Sequence, residues 1–520
     1  MEGLDDASLD FVHANLCLAN EANPAQTLAR WLDLLKPGGF AIVTVPDEDL
    51  YEKGAWPSRI DEKHQSSFTI FKPVKALPNS VNVLELVRSL AHVAECERLN
   101  LIVDQFDPAR ADEDQTAHGI AECAIEFVLR KRAVPSAHER MVAMLQARSA
   151  DDALRACMDG VQAYPYRQDV CHHAHLALLH WRLESEVDGI IAQSAALLPN
   201  ERYPQLIHAL HSISRGRLQE GFRLREAVVA PSGWARRTKA QPPSDMPAWQ
   251  GESLESKRIV IWSEFGLGDE IFFFRFARIL RERCGARAVS VVCQTPLVEL
   301  FEASGEADAI IDVRNTSELP PNDFWIYPHA IPAHLPLDLE ALPPSVPYLL
   351  APRSAPALPN ADRRALKVGF AFKGDPTHEN DRERSAPSLS VFDALFGIEG
   401  VEFYSVQKGA GADEVAAYAE KLPNFHDLGA GLNTMAETAS ALAAMDLVIA
   451  VDTSIVHLAG AMGKPVWLML PFYGDWRWHY TREDSPWYPT MRLFRRGFGQ
   501  GWTEIVARIE QELKRLAQEN

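Results

Sequence analysis

Two short segments hold the residues whose types and spacing suit group transfer. In Asp446 to Leu470 (DLVIAVDTSIVHLAGAMGKPVWLML), Asp452, Thr453 and Ser454 follow an apolar run, and His457 stands three residues after Ser454. Residues three apart on a helix share a face, so Ser454 and His457 would line one first turn. Such a turn presents unpaired N–H groups and the positive end of the helix dipole, which favours phosphate. In Lys257 to Leu280 (KRIVIWSEFGLGDEIFFFRFARIL), Gly266 and Gly268 form a turn and Asp269 follows at a helix start. Glycines there let the backbone turn sharply and approach a ligand closely. An aspartate at a cleft mouth can act as a general base. Helix capping is the plainer use of Asp269, Asp452 or Ser454 when either segment is read alone.

The elements that would position these residues are legible on both sides. LVIAV and RIVIW are short β-branched runs of the kind found in parallel strands covered on both faces. Gly463 and Pro465 end the helix that starts at Asp452-Thr453-Ser454, and Ile271 to Leu280 reads as an apolar helix. The Gly266-Leu-Gly268-Asp269 turn is not the dinucleotide fingerprint, because the third glycine and the downstream ribose-binding acid are absent.

Several further motifs stand in order with these two: Trp249-Gln250-Gly251, KVGFAFKGDPTHENDRERS (Lys367 to Ser385) and PFYGDWRWHYTREDSPWYPTMRLFRR (Pro471 to Arg496). Together they resemble the catalytic region of bacterial glycosyltransferases related to family 9, the heptosyltransferase-like group, in the subset fused to tetratricopeptide repeats. The resemblance implies a GT-B architecture, two Rossmann-like halves facing across a cleft. It also implies inverting, metal-independent transfer of a sugar from a nucleotide-sugar donor, with no cofactor. Asp269 is then the candidate base, with Gly266 and Gly268 beside it at the donor. Thr453, Ser454 and the following N–H groups would cradle the diphosphate, while Asp452 and His457 orient sugar or phosphate. Arg384 falls where the family carries a basic residue aimed at the phosphates, and Arg382 is its nearest competitor; a solvated loop charge is the plainer use of each. Phe372-Lys373-Gly374 departs from the family, which often has a tryptophan and a small residue there. Lys373 would add phosphate charge or crowd the site. Asp475 and Trp476 are candidate acceptor or sugar contacts, with packing the plainer use of the aromatic ring.

The preceding half divides in two. From Ser136 to Pro231 the pattern is helical throughout, and Pro165 and Pro199 stand 34 residues apart, the tetratricopeptide period. So short a solenoid needs neighbours to cover it, and its expected uses are docking of a protein or glycan acceptor, homo-oligomerisation, or spacing. The first ~130 residues, from LDFVHANLCLANEANPAQTLARWLDLLKPGGFAIVTVPD onward, resemble the second half of a class I S-adenosylmethionine-dependent methyltransferase. The glycine-rich loop and ribose-binding acid would lie upstream of Met1, so a truncated domain that binds no S-adenosylmethionine is expected. The predicted organisation is α/β with an all-α insert: 1–132 methyltransferase-like, 136–231 repeats, 232–256 linker, 257–350 and 362–520 the two catalytic halves. A proline-rich stretch at 342–361 would be the hinge between those halves, letting the cleft close.

Composition narrows the function classes. A net charge of -19 over 520 residues leaves no large basic face for nucleic acid. No apolar run reaches the ~20 residues that span a bilayer, and MEGLDDASLD is not a signal peptide. Seven cysteines without a C-x-x-C pair suggest reduced thiols and a cytoplasmic setting. Cys171-His172-His173-Ala174-His175 has none of the common zinc spacings. The alternatives to a glycosyltransferase are a scaffold built on an inactive catalytic fold and, from the N-terminal resemblance, a methyltransferase.

Overall fold

The computed structural model describes residues 4–519 apart from 53, 59–60, 71, 73–76, 78, 111–122, 200, 230–237, 337–345, 353–357, 360–363 and 379. Pro231, the linker start at 232–237 and much of the predicted hinge at 342–361 lie outside the described residues. The chain forms two compact units, Met1–Pro204 and Gln205–Asn520.

The first unit runs β1 (Leu9–Asn15), α1 (Pro24–Leu34), β2 (Leu35–Pro46), β3 (Ser67–Thr69), β4 (Ser80–Asn82), α2 (Val83–Ser89), β5 (Ala94–Ile102) and β6 (Ala124–Lys131). Its four-stranded sheet has the order β1-β2-β6-β5. β1 and β2 are parallel, and β6 is antiparallel to both of its neighbours. α1 starts where Asn23 accepts the Gln26 N–H and Pro24 fills the first helical position. Four helices follow: α3 (Ala137–Leu145), α4 (Ala150–Ala163), α5 (Gln168–His180) and α6 (Glu184–Leu197). Ala153, Cys157 and Val161 on α4 and Val170, Ala174 and Leu178 on α5 are buried at four-residue spacing, the stripe a packed helix needs. The histidines of α5 have local partners. His173 Nδ1 lies 2.8 Å from the Asp169 carbonyl, and the His172 and His175 rings meet edge to face.

The second unit begins within α7 (Arg202–Ser214) and continues with α8 (Leu218–Val229). The helical run predicted at 136–231 is thus divided between the two units. A parallel sheet follows, built of β7 (Arg258–Ile261), β8 (Ala288–Cys293), β9 (Ala309–Asp312) and β10 (Phe324–Ile326) in the order β10-β7-β8-β9. Between its strands lie α9 (Leu267–Phe274), α10 (Phe276–Glu282) and α11 (Val298–Ser304). The single helix expected over 271–280 is therefore two, meeting at Arg275. The Arg275 guanidinium is buried among aromatic rings and donates to the Trp487 carbonyl at 2.9 Å and to the Tyr348 hydroxyl at 3.2 Å.

A second parallel sheet holds β11 (Leu366–Ala371), β12 (Val401–Ser405), β13 (Phe425–Asp427), β14 (Leu447–Val451), β15 (Val466–Leu470) and β16 (Met491–Arg495). Its order is β13-β12-β11-β14-β15-β16, the 3-2-1-4-5-6 order of a Rossmann sheet. Its helices are α12 (Asp381–Arg384), α13 (Asp393–Phe396), α14 (Ala412–Lys421), α15 (Met435–Ala443), α16 (Ser454–Ala461) and α17 (Trp502–Glu519). Every residue of β14 is buried, as its continuous β-branched run requires. One core cluster joins both sheets: Ile271, Phe272 and Phe273 of α9 share it with Val456, Leu458 and Ala459 of α16 and with Trp476 and Trp478. On the other face of the second sheet, Ile505, Ile509 and Leu513 of α17 pack with Val368, Phe370 and Phe403. Among the described residues no helix is long and apolar enough to cross a membrane.

Candidate functional site

In open parallel sheets ligands bind beyond the carboxyl ends of the strands where the strand order reverses. That point lies between β11 and β14 in the second sheet and between β7 and β10 in the first. The strand register determines which residues emerge there. Ala371 pairs with Ala450, so three residues further on Gly374 and Thr453 leave the sheet side by side. Ile261 pairs with Ile326, and three residues further on come Glu264 and His329. His329 Nδ1 lies 3.0 Å from Glu264 Oε2.

The turn after Glu264 carries Asp269 to the second half. Phe265 has φ +65°, a conformation that costs a non-glycine residue about 1–3 kcal/mol and recurs at functional sites. α9 then starts at Leu267, with Gly266 as its cap residue, so Asp269 is the third helical residue and not the N-cap expected from the sequence. Its Oδ2 accepts the Gly266 N–H at 3.2 Å. A Cβ on Gly268 would stand 2.9 Å from His457 Cδ2 and 3.4 Å from Ser454 Cα. Only a bare backbone allows α9 to lie this close to the N-terminus of α16. The two segments singled out in the sequence thus meet.

Asp269 is held by an arginine from the loop between β15 and β16. Arg477 Nη2 donates to Asp269 Oδ1 at 2.5 Å, and Arg477 Nη1 donates to Asp475 Oδ1 at 2.9 Å. Its guanidinium is buried, 4.2 Å from the Trp476 ring centroid and 4.7 Å from that of Phe272. Burial acts to raise the Asp269 pKa. The charge of Arg477 leads the opposing effects, which together outweigh burial and hold the carboxyl below its usual range. The Asp269 side chain remains 28% exposed, so its free edge can meet a hydroxyl.

On the α16 side, Thr453 is the cap residue yet makes no side-chain capping hydrogen bond, and its buried Oγ1 has no partner. Capping by Asp452 was also expected. Asp452 Oδ2 instead accepts the Trp478 indole N–H at 2.9 Å. Burial, followed by the nearby Asp475 charge, pushes the Asp452 pKa up to about 6. His457 stacks on Trp478 with ring centroids 5.3 Å apart, and its Nδ1 lies 3.1 Å from the Tyr488 hydroxyl. Burial, then Arg477, pushes the His457 pKa down to about 3, so its ring is neutral near pH 7.

The other predicted basic residues separate clearly. Arg384 lies over Gly374, where a Cβ would stand 2.7 Å from its Nη2. Its buried Nε has no hydrogen-bond partner, with Asp381 Oδ1 at 3.5 Å. Lys373 is engaged elsewhere, donating to Glu414 at 2.6 Å, so it offers less free charge to a phosphate than the sequence suggested. Arg382 is exposed on α12. Asp475 anchors Arg477, and Trp476 is buried against Phe222, Phe272 and Trp487. Trp476 therefore packs the core that supports the site.

Three residues at this centre were not singled out from the sequence: Arg477, His329 and Glu264. Arg477 lies in the YGDWRW stretch directly after two residues that were, and the succession of acid, aromatic and base was the available signal. Glu264 opens the EFGLGD turn but was not distinguished within it, and His329 lies in no motif; only the pairing of β7 with β10 brings them together.

The family model of glycosyltransferase family 9 (heptosyltransferase) matches residues 399–498. This segment contains Asp452 to His457 and Asp475 to Arg477, while Asp269 and Arg384 precede it. Protein FlbA of Caulobacter vibrioides is 27% identical over 399 residues, covering 71% of this chain. The chain spans 63% of the length of that relative. Two solved structures are also similar. A glycosyl transferase family 9 protein of Veillonella parvula has 15% identity and a TM-score of 0.36, over 52% of this chain and 99% of that one. ADP-heptose LPS heptosyltransferase II of E. coli has 16% identity and a TM-score of 0.37, over 51% and 99%. The match to the heptosyltransferase family model thus falls in the C-terminal part of the chain.

Proposed function

We propose that the second unit is an inverting, metal-independent glycosyltransferase of GT-B type. It would move a sugar from a nucleotide-diphosphate donor to a hydroxyl of a protein or surface-glycan acceptor. The reading rests on one contact, the packing of the Asp269 turn through Gly268 onto Ser454 and His457. Asp269 takes the acceptor proton. The N–H groups that open α16, the Thr453 hydroxyl and the Arg384 guanidinium receive the departing diphosphate, which carries the charge that develops as the glycosidic bond breaks. Asp452 and the neutral His457 orient the sugar. Two buried polar atoms on that side without a hydrogen-bond partner, Thr453 Oγ1 and Arg384 Nε, support a polar ligand there.

For the first unit we propose a methyltransferase-like domain joined to tetratricopeptide-like helices. It is supported by the β1-β2-β6-β5 order, with one antiparallel strand inserted next to the edge. Acceptor docking or self-association is the proposed role of the helices. The setting proposed is cytoplasmic.

Donor turnover tests the reading. The full chain, incubated with uridine-, guanosine-, adenosine- and thymidine-diphosphate sugars including an activated heptose, should release nucleoside diphosphate from one of them. Proton NMR should show the freed sugar first in the anomeric configuration opposite to that of the donor. Asp269→Asn should abolish release while the nucleoside diphosphate still binds. Release with retained configuration, or no release from any donor, would count against it.

A further inference from the structure

Glu264, His329 and Asp269 stand in line at the reversal point of the first sheet. Glu264 Oε2 lies 3.0 Å from His329 Nδ1 and 3.4 Å from the His329 backbone nitrogen. His329 Nε2 lies 3.8 Å from Asp269 Oδ1. The line is fixed on all sides. Arg225 of α8 approaches Glu264 at 4.0 Å, and Arg223 of the same helix donates to the Ala333 carbonyl of the His329 segment at 3.1 Å. Phe265 and Phe273 clasp the imidazole, with ring centroids 4.7 and 4.3 Å away.

A carboxylate accepts hydrogen bonds, so Glu264 selects the tautomer with its proton on Nδ1. The Nε2 lone pair then faces Asp269. Two acceptors cannot hydrogen-bond, which accounts for a separation of 3.8 Å where 2.7–3.0 Å would otherwise be expected. The missing hydrogen is the one Asp269 acquires when it acts as a base.

We propose that Glu264 and His329 form a proton relay behind Asp269, with His329 receiving the acceptor proton that Asp269 removes. This inference rests on the glycosyltransferase reading. As the acceptor oxygen bonds to the anomeric carbon, the bond from that carbon to the diphosphate oxygen breaks and its electron pair leaves with the nucleoside diphosphate. The acceptor proton passes to Asp269 and from there to His329 Nε2. Glu264 stabilises the imidazolium, and the proton leaves to solvent after product release. The relay resolves a tension in the site. Arg477 keeps Asp269 ionised but makes it a weak base. The better proton acceptor is the imidazole, whose surroundings are Glu264, Asp269, Arg225 and the two phenyl rings. Burial, then Arg225, holds its pKa below the usual 6.5, so it stands neutral and ready near pH 7.

The test measures turnover of the donor sugar nucleotide together with calorimetric binding of its nucleoside diphosphate, in wild type, His329→Gln, His329→Ala and Glu264→Gln. Removing the relay should slow turnover about 100-fold, the low end of acid–base contributions, with affinity changed less than about twofold. Wild-type turnover should fall as pH drops below 6.5 and His329 becomes protonated. In His329→Gln that fall should move to lower pH, toward the depressed range of Asp269. Added imidazole should restore part of the rate to His329→Ala but not to His329→Gln. Glu264→Gln keeps the shape of the site and should slow turnover at least tenfold if the histidine variants do not fold. Unchanged rate and pH profile in the variants would overturn the relay while leaving the glycosyltransferase reading intact. A wild type that neither binds nor turns over any donor would overturn both.

Discussion

At the scale of residues, His457 shows how burial fixes a charge state. It lies between Trp478, Phe272 and Tyr488 and within the field of Arg477, an environment that admits a neutral ring and penalises an imidazolium. The consequence for stability has a definite sign. The folded pKa of about 3 lies below the ordinary 6.5, so the unfolded chain binds a proton that the folded chain does not. Stability from His457 is therefore complete above pH 6.5 and declines as pH falls toward 3, by at most about 1.4 kcal/mol per pH unit. Asp452, with its pKa raised to about 6, acts in the opposite sense between pH 6 and 3.8. Comparison with a variant that keeps Asp452 isolates the histidine. Denaturant unfolding of His457→Gln between pH 7 and 4 should show a shallower loss than wild type. Parallel curves would mean that the ring is already solvated. At this scale the sequence was informative where local chemistry speaks. Asp269, Ser454 and His457 sit within motifs, whereas Arg477 works through ion pairs to residues 208 positions and 2 positions away. His329 and Glu264 stand 65 residues apart and could not be joined without the strand register.

At the scale of elements, the contact between α9 and α16 is what turns two loop-helix motifs into one site. Its permissive residue is Gly268. A methyl group there would meet His457 Cδ2 at 2.9 Å, and neither helix can retreat without disturbing the core that Phe272 and Trp476 share. Gly268→Ala should cost about 1–3 kcal/mol of stability through overpacking. It should also lower donor turnover, because Asp269 and Ser454 would move apart. A variant with wild-type melting temperature and turnover would show that the helices have room. The apolar runs and glycine stops made β7, β14 and α16 readable, since burial on both faces leaves an unbroken β-branched pattern. The cap of α9 was misplaced by three residues, at Asp269 rather than Gly266, because Gly266 caps without a side chain. The division at Arg275 was hidden by an unbroken apolar stretch on both sides of it, which periodicity alone reads as one helix.

At the scale of the whole molecule, the second unit places two parallel sheets so that their reversal points share one centre, and the shared core ties them there. Helical periodicity over 136–231 was legible, but not that the run divides at Pro204. Repeats with similar apolar stripes do not reveal which neighbour each one covers. The central claim is that one side of this centre grips a diphosphate while the other supplies the base. Calorimetric titration of the full chain with the nucleoside diphosphate it prefers, repeated on Arg384→Ala and Asp269→Asn, separates those roles. Loss of a charge-assisted hydrogen bond predicts an affinity about 10- to 100-fold weaker in Arg384→Ala, with Asp269→Asn close to wild type. Equal weakening in both variants, or none in Arg384→Ala, would contradict the division of labour.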